Sequence, residues 1–140
     1  MKSANVELLK SLYAAFGRGD MPTVLAGMSP KIVWNEAEHN PYADRNPYIG
    51  PDAVLKGVFT RLNNDWDNYH LDIESVLDAG DRLVALGRYS ARFKANGKPL
   101  DAQFVHIWTI KDGKATAFQQ YTDTMAFATA MNLKPAHQPA

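Results

Sequence analysis

The stretch 106-HIWTIKDGKATAFQQYTDT-124 contains two β-strand patterns separated by the turn dipeptide Asp112-Gly113. Isoleucine, tryptophan, phenylalanine and threonine are enriched in strands, and Asp-Gly between two such runs is a strong signal for a tight hairpin. Asp123 and Thr124 then favour the start of a short terminal helix, because aspartate is a good N-cap residue. The stretch therefore predicts the hairpin that closes an antiparallel sheet.

Two further turn signals, Ala79-Gly80-Asp81 and Asn96-Gly97, extend the strand pattern upstream. Four strands joined as hairpins are predicted, at roughly 69–79, 82–95, 99–111 and 114–123. Before them, hydrophobic spacing predicts helices over 3–16, after Asp20 and after Pro51, with one strand over 31–37. The expected fold is a single α+β domain over residues 1–132, followed by a frayed tail over residues 133–140.

The composition is that of a folded protein without a strong charge. Hydrophobic residues make up 46% of the 140, and 15 basic side chains balance 15 acidic ones. Scattered charges give no footprint for nucleic acid or a membrane surface, so we expect a small hydrophobic molecule as the partner. The absence of cysteine excludes disulfides and thiolate chemistry. The charged, amphipathic start differs from a signal peptide, and we expect a cytoplasmic protein.

The two hairpin loops fix which residues lie opposite each other, if each loop has two residues. Arg92 then pairs with Asp101. His106 faces Gln119, and Gly87 beside it leaves space for the imidazole or a ligand. Because side chains alternate between faces, one face collects Tyr89, Phe104, His106, Trp108, Gln119, Tyr121 and Asp123. The opposite face collects Leu86, Ile107 and Phe118, which we expect to contact a second copy of the chain.

Four segments together resemble the SnoaL-like branch of the nuclear-transport-factor-like superfamily. They are LYAAFGRGD (12–20), MSPKIVWNEAE (28–38), YIGPDAV (48–54) and FQQYTDT (118–124). The resemblance implies a cone-shaped α+β fold of the cystatin-like roll type, in which N-terminal helices and a curved antiparallel sheet surround one deep pocket. It also implies a homodimer formed through the outer sheet faces. Enzymes of this kind use no metal or cofactor, but a buried general base and a hydrogen-bond donor for an oxyanion.

The resemblance also assigns roles to individual positions. Glu36 falls near the base of ketosteroid isomerases, and His106 falls where polyketide cyclases have a pocket histidine. The cyclases' acid on the last strand falls at Gln119 or Gln120, so the nearest acid here is Asp123. Tyr13 lies about one position away from the isomerases' tyrosine.

We therefore expect acid–base chemistry of isomerase, cyclase or dehydratase type on a small hydrophobic carbonyl compound. The candidate catalytic residues are Glu36, His106 and Asp123. The remaining pocket residues are Trp34, Tyr89, Phe104, Trp108, Gln119 and Tyr121. The alternative is a noncatalytic dimeric module that binds a small ligand. In that case His106 is a core histidine bonded to Gln119, Asp123 only caps the last helix, and Glu36 is solvated.

The segment 39-HNPYADRNPYIGP-51 is rich in proline and tyrosine. One interpretation is a lid, in which Tyr42 and Tyr48 close over a ligand or a dimer neighbour. The other is a surface loop with two ordinary proline turns. Glu36, Glu38 and His39 lie too close along the chain to converge on a metal ion, so no metal site is expected.

Overall fold

The computed structural model describes residues 3–133. Its helices are α1 (Ala4–Gly17), α2 (Met21–Ala26), a 3-10 helix (Pro41–Arg45), α3 (in three successive parts, Pro51–Val54, Leu55–Phe59 and Thr60–Asp65) and α4 (Thr124–Ala130). Its strands are β1 (Met28–Asn35), β2 (Tyr48–Ile49), β3 (Trp66–Asp78), β4 (Arg82–Phe93), β5 (Pro99–Lys111) and β6 (Lys114–Thr122). The predicted tail lies outside the described residues except for Leu133.

The six strands form one sheet in the order β2-β1-β6-β5-β4-β3. Only the β1–β6 pair is parallel, while the other neighbours are antiparallel. Helices α1, α2 and α3 contribute apolar residues to the same buried cluster as the inner sheet face. The predicted α+β fold, with N-terminal helices against a curved sheet, is confirmed.

Three predicted helix starts have the expected side-chain caps. Ser3 accepts a hydrogen bond from the Val6 amide, and Asp20 accepts one from the Thr23 amide. Asp123 accepts one from the Ala126 amide at the start of α4. Each cap satisfies a backbone N–H group that lacks a partner within its helix.

The register between β4 and β5 differs from the prediction by two residues. The loop between the two strands spans residues 94–98 instead of two residues, so Ser90 and not Arg92 lies opposite Asp101. Asp101 pairs instead with Arg88, at 3.0 Å between Nε and Oδ1. A shift of two residues leaves every side chain on its predicted face, because the side-chain period of a strand is two.

The register between β5 and β6 shifts by one residue, which has a larger effect. Thr109 pairs with Ala117 while Ile110 pairs with Ala115, so Thr116 is an extra residue, a β-bulge. A one-residue shift moves side chains to the opposite face. Phe118 and Gln120 are therefore buried inside, and the predictions that Gln119, Tyr121 and Asp123 face inward and Phe118 faces outward are wrong.

The segment 39–51 is anchored in the core and does not form a lid, which was one of its two interpretations. Tyr42 and Tyr48 are both buried. The Tyr42 hydroxyl donates to Asp65 (2.8 Å) and accepts from the Trp66 indole (2.8 Å). The Tyr48 hydroxyl donates to the Tyr42 carbonyl at 2.6 Å. Tyr42 therefore joins the segment to the end of α3 and the start of β3, and Tyr48 connects the two halves of the segment.

Gly87 is required by close packing and not by a vacant space beside His106. It lies opposite Phe104, and a methyl group at this position would overlap the Asp72 carbonyl oxygen and lie 2.7 Å from the Phe104 ring. Gly87→Ala should lower the free energy of unfolding by about 1–3 kcal/mol, the usual cost of overpacking. Gly17→Ala is the matched control, because its added methyl group would lie more than 4 Å from every other part of the described chain outside its own helix backbone and its two chain neighbours. Urea denaturation measures both variants, and equal stability of the two would contradict this account.

Candidate functional site

A cavity lies between the inner sheet face and the N-terminal helices. Its walls are mostly aromatic and aliphatic, and its free space is about 50 Å³. It is lined by Leu12, Tyr13, Phe16, Val24, Trp34, Glu36, Val58, Phe59, Leu62, Tyr69, Leu71, Tyr89, His106, Trp108, Phe118 and Gln120. Such a volume holds a few water molecules, whereas known ligand pockets are several times larger. An organic ligand therefore requires lining side chains to move.

The wall nearest to solvent is formed by Phe16, Phe59, Leu62 and Tyr69. These residues line both the cavity and an outer groove beside α3. The Phe16 and Phe59 rings meet edge to face, with 5.4 Å between their centroids. The two rings therefore separate the groove from the cavity.

Glu36 follows β1 directly and is only 4% exposed. Asn46 fixes its backbone by bonding both its N–H (3.0 Å) and its C=O (2.8 Å). The Trp34 indole donates to Oε2 at 2.9 Å, while Oε1 makes no hydrogen bond within residues 3–133. Burial in apolar surroundings raises the pKa of Glu36 to about 7, although the Trp34 bond acts in the opposite direction. The carboxyl therefore exchanges a proton near neutral pH.

His106 lies on the same cavity at the middle of β5, and both of its ring nitrogens have partners. Nδ1 is 2.6 Å from the Tyr13 hydroxyl, and Nε2 is 2.5 Å from the Tyr89 hydroxyl. Burial lowers the pKa of His106 to about 3, so the imidazole is neutral at physiological pH. Because both ring nitrogens are already bonded, a ligand in the cavity can be linked to the imidazole by hydrogen bonds only through the hydroxyls of Tyr13 and Tyr89.

Two fixed N–H groups hold the tyrosine hydroxyls from the other side. The Trp108 indole donates to the Tyr13 hydroxyl at 2.9 Å. The Gln120 amide donates to the Tyr89 hydroxyl at 2.8 Å. Its carbonyl oxygen accepts from the Ala37 backbone N–H at 3.0 Å, which fixes the orientation of the amide group.

The structure brings together most, but not all, of the predicted site residues. Glu36, His106, Trp34, Tyr89 and Trp108 line the cavity. Phe104 is buried behind it, stacked on His106 with 4.1 Å between ring centroids. Gln119, Tyr121 and Asp123 lie outside it, and Asp123 caps α4.

Sequence reasoning missed Gln120 and Phe118 as inner residues because the bulge at Thr116 has no clear sequence signal. It also gave Tyr13 no role, although Tyr13 lies on the apolar stripe of α1 beside Leu12 and Leu9. Helical periodicity identifies such a stripe but not which member reaches a cavity.

Residues 3–133 contain neither a metal-binding cluster nor a membrane-spanning helix. No group of three or more histidine, aspartate or glutamate side chains is placed to hold a metal ion. No helix in this part of the chain is long and apolar enough to cross a membrane.

The family model of the SnoaL-like domain matches residues 9–118. The chain belongs to the SnoaL-like domain family. Among solved structures, this SnoaL-like chain is 34% identical to an NTF2-like protein from Burkholderia thailandensis E264, with a TM-score of 0.85 and coverage of 95% of this chain and 96% of that one. It is 27% identical to an NTF2-like protein from Burkholderia pseudomallei K96243, with a TM-score of 0.84 and coverage of 92% and 98%.

A third similar structure is TerC, co-crystallised with polyporic acid. The SnoaL-like chain is 27% identical to it, with a TM-score of 0.82 and coverage of 93% of this chain and 99% of that one. A search of the curated proteins found no match.

The raised pKa of Glu36 predicts a specific dependence of stability on pH. Because the folded pKa of about 7 exceeds the ordinary 4.5, the folded protein binds this proton more tightly than the unfolded chain. Glu36 therefore reduces stability as pH rises from about 5 to about 8, by about 3 kcal/mol for such a shift. Glu36→Gln should remove this loss, so the stability difference between variant and wild type should grow with pH. Denaturant unfolding at several pH values measures it.

The difference in stability between Glu36→Gln and the wild type does not include the contribution of His106, because both proteins contain this histidine. The stability that His106 contributes changes with pH in the opposite direction. Its folded pKa is lowered, so its contribution to stability is full above about 6.5 and is lost as pH falls towards 3. Glu38→Gln is the control, because Glu38 is exposed two residues further along. A stability difference for Glu36→Gln that does not change with pH would show that the pKa of Glu36 is ordinary.

Proposed function

We propose that this protein is an acid–base enzyme acting on a small hydrophobic carbonyl compound, with chemistry of the isomerase, cyclase or dehydratase type. The observation that carries the proposal is Glu36, a carboxyl buried in an apolar cavity whose Oε1 makes no hydrogen bond within residues 3–133. This burial raises its pKa to about 7. A general base is most effective when its pKa lies near the working pH. Structural carboxyls are rarely buried without a charged partner.

The simplest reaction of this site is proton transfer next to a carbonyl group. The Glu36 carboxylate takes a proton from the α-carbon, and the electron pair of the broken C–H bond forms an enolate. The negative charge on the enolate oxygen is stabilised by a phenolic hydrogen from the Tyr13–His106–Tyr89 group. When the ligand is a β,γ-unsaturated carbonyl compound, this enolate is conjugated with the C=C bond. The Glu36 carboxyl then returns the proton to the γ-carbon, the double bond moves next to the carbonyl group, and the product is an isomer with no net gain or loss of protons.

The lining favours an uncharged, mostly hydrocarbon ligand. Apart from Glu36, His106 and the polar ends of tyrosine, tryptophan and glutamine side chains, the walls are apolar. The similarity to TerC, which was co-crystallised with polyporic acid, supports a carbonyl compound as the ligand class. Entry past Phe16 and Phe59 would provide the larger volume that such a ligand needs.

Exchange of α-hydrogens for deuterium tests the proposed chemistry without knowledge of the substrate. Cyclopentanone in D₂O with the protein should lose its α-proton signal faster than without it. The rate should rise with pH through about 7, because the Glu36 carboxylate is the active form. Glu36→Gln should lower the rate by about 10²- to 10⁴-fold, the usual contribution of a positioned general base.

Glu38→Gln serves as the control and should retain the wild-type rate. Saturable binding of cyclopentanone with no exchange above the Glu36→Gln level would refute the enzyme. It would leave the alternative, a noncatalytic module that binds a small ligand.

We also propose that the outer sheet face pairs with a second copy of the chain. Four large hydrophobic residues on this face, Val33, Ile49, Leu77 and Tyr121, are between 38% and 54% exposed. Strand pairing places all four on the same side of the sheet as Leu86 and Ile107. Phe118, predicted for this surface, is not part of it because the bulge turns it inward.

Tyr121→Asp tests the proposed dimer at the exposed face. It should convert a dimer into a monomer in analytical ultracentrifugation, because a carboxylate would be buried without a partner. Met125→Asp is the matched control, since Met125 is equally exposed (56% against 53%) but lies on α4. A monomeric wild type, or a Tyr121→Asp variant that stays dimeric, would contradict the proposal.

A further inference from the structure

The hydrogen bonds around His106 form a chain with a fixed number of hydrogens. The chain runs from the Trp108 indole through Tyr13, His106 and Tyr89 to the Gln120 amide. The two end groups are N–H donors and cannot accept. Each tyrosine oxygen therefore already accepts one hydrogen bond from outside.

The orientation of the Gln120 end does not depend on an assumed amide assignment. Its oxygen accepts from the Ala37 backbone N–H and from the Asn40 amide at 2.9 Å. Asn40 is fixed in turn, since its oxygen accepts from the Tyr42 backbone N–H at 2.9 Å. Gln120 can therefore present only N–H to Tyr89.

Between the two ends, three hydrogens are available for two bonds. Tyr13 and Tyr89 each carry one O–H hydrogen, and the neutral imidazole of His106 carries one N–H hydrogen. Burial raises the pKa of both tyrosines and lowers that of His106, so this count holds at neutral pH. One hydrogen is always left over, and it always belongs to a tyrosine.

The tautomer of His106 decides which tyrosine carries the spare hydrogen. When Nδ1 is protonated, it donates to Tyr13 and Nε2 accepts from Tyr89, which leaves the Tyr13 O–H free. When Nε2 is protonated, it donates to Tyr89 and Nδ1 accepts from Tyr13, which leaves the Tyr89 O–H free. Both tyrosines line the cavity.

We propose that His106 is a positioning residue whose tautomer directs one phenolic hydrogen, from Tyr13 or from Tyr89, to an oxygen acceptor of the ligand. The site then provides one O–H donor, either at Tyr13 on one side of the imidazole or at Tyr89 on the other. This donor selects ligands that carry a carbonyl, enolate or phenolate oxygen. The inference deepens the function proposed above, but it does not depend on Glu36. It holds equally for an enzyme and for a binding module.

The unliganded protein and two conservative variants test this coupling between the His106 tautomer and the two tyrosine hydroxyls, which we call the relay. In ¹⁵N NMR of histidine-labelled protein, wild-type His106 should have one protonated nitrogen from pH 5 to pH 8. In Tyr13→Phe, Nδ1 loses its hydrogen-bond partner, and the Nε2–H tautomer is favoured because a buried N–H without an acceptor is costly. In Tyr89→Phe, Nε2 loses its partner in the same way, which favours the Nδ1–H tautomer.

Opposite tautomers in the two variants support the proposal, and the same tautomer in both would overturn it. An imidazolium in the wild-type protein between pH 5 and pH 8 would also overturn it, because the hydrogen count would change. This wild-type measurement stands even if a variant fails to fold. A structural histidine held by the same two tyrosines would show the same tautomers in the variants, so the response to a ligand separates the two roles.

A matched pair of small molecules tests the selection of an oxygen acceptor. Cyclopentanone should shift the His106 nitrogens of the wild type towards one tautomer, while methylenecyclopentane, of similar shape but without oxygen, should not. Equal effects of the two compounds, or saturable binding of the ketone without any change at His106, would overturn the proposal. Because Glu36→Gln should leave this shift intact, failure of catalysis and failure of the relay are distinguishable.

Discussion

The buried amide of Gln120 is the interaction on which the rest of the site depends. It joins β6 to the segment after β1, through the Ala37 N–H and Asn40, and to β4 through the Tyr89 hydroxyl. All of these groups are removed from water, and a buried donor or acceptor without a partner costs about 1–3 kcal/mol. The bond network therefore holds β4, β6 and the segment after β1 in one arrangement. The same arrangement fixes which way Tyr89 faces His106.

The electrostatics of the cavity follow from the same burial. Low polarity disfavours the charged form of every ionisable group, so it raises the pKa of Glu36 and lowers that of His106. The two groups respond in opposite directions to one cause. As a result, the imidazole is neutral around pH 7, while the carboxyl gains and loses its proton around the same pH. This separation of roles does not require an ion pair between them.

The two sheet faces differ in their side chains because of one extra residue. The bulge at Thr116 turns Phe118 and Gln120 into the cavity, where the Phe118 ring stacks on Trp34 with 3.7 Å between centroids. It also turns Tyr121 outward, where it adds to the exposed apolar surface. Without the bulge, the cavity would gain Gln119 and Tyr121 and lose the amide that orients Tyr89. Bulges commonly redirect side chains next to functional sites in this way.

The family resemblance placed Glu36 beside the pocket, while the patterns of the sequence itself determined the α+β fold, the hairpin order, the three helix caps and the inward direction of His106. These features depend on local signals: turn dipeptides, capping residues and hydrophobic periodicity. Only the tertiary structure decided the inner face of β6 and the partners of His106. A bulge has no distinct local pattern, and the bonds of His106 join residues as far apart as Tyr13 and His106. Such contacts depend on how helix and sheet pack together, which periodicity does not specify.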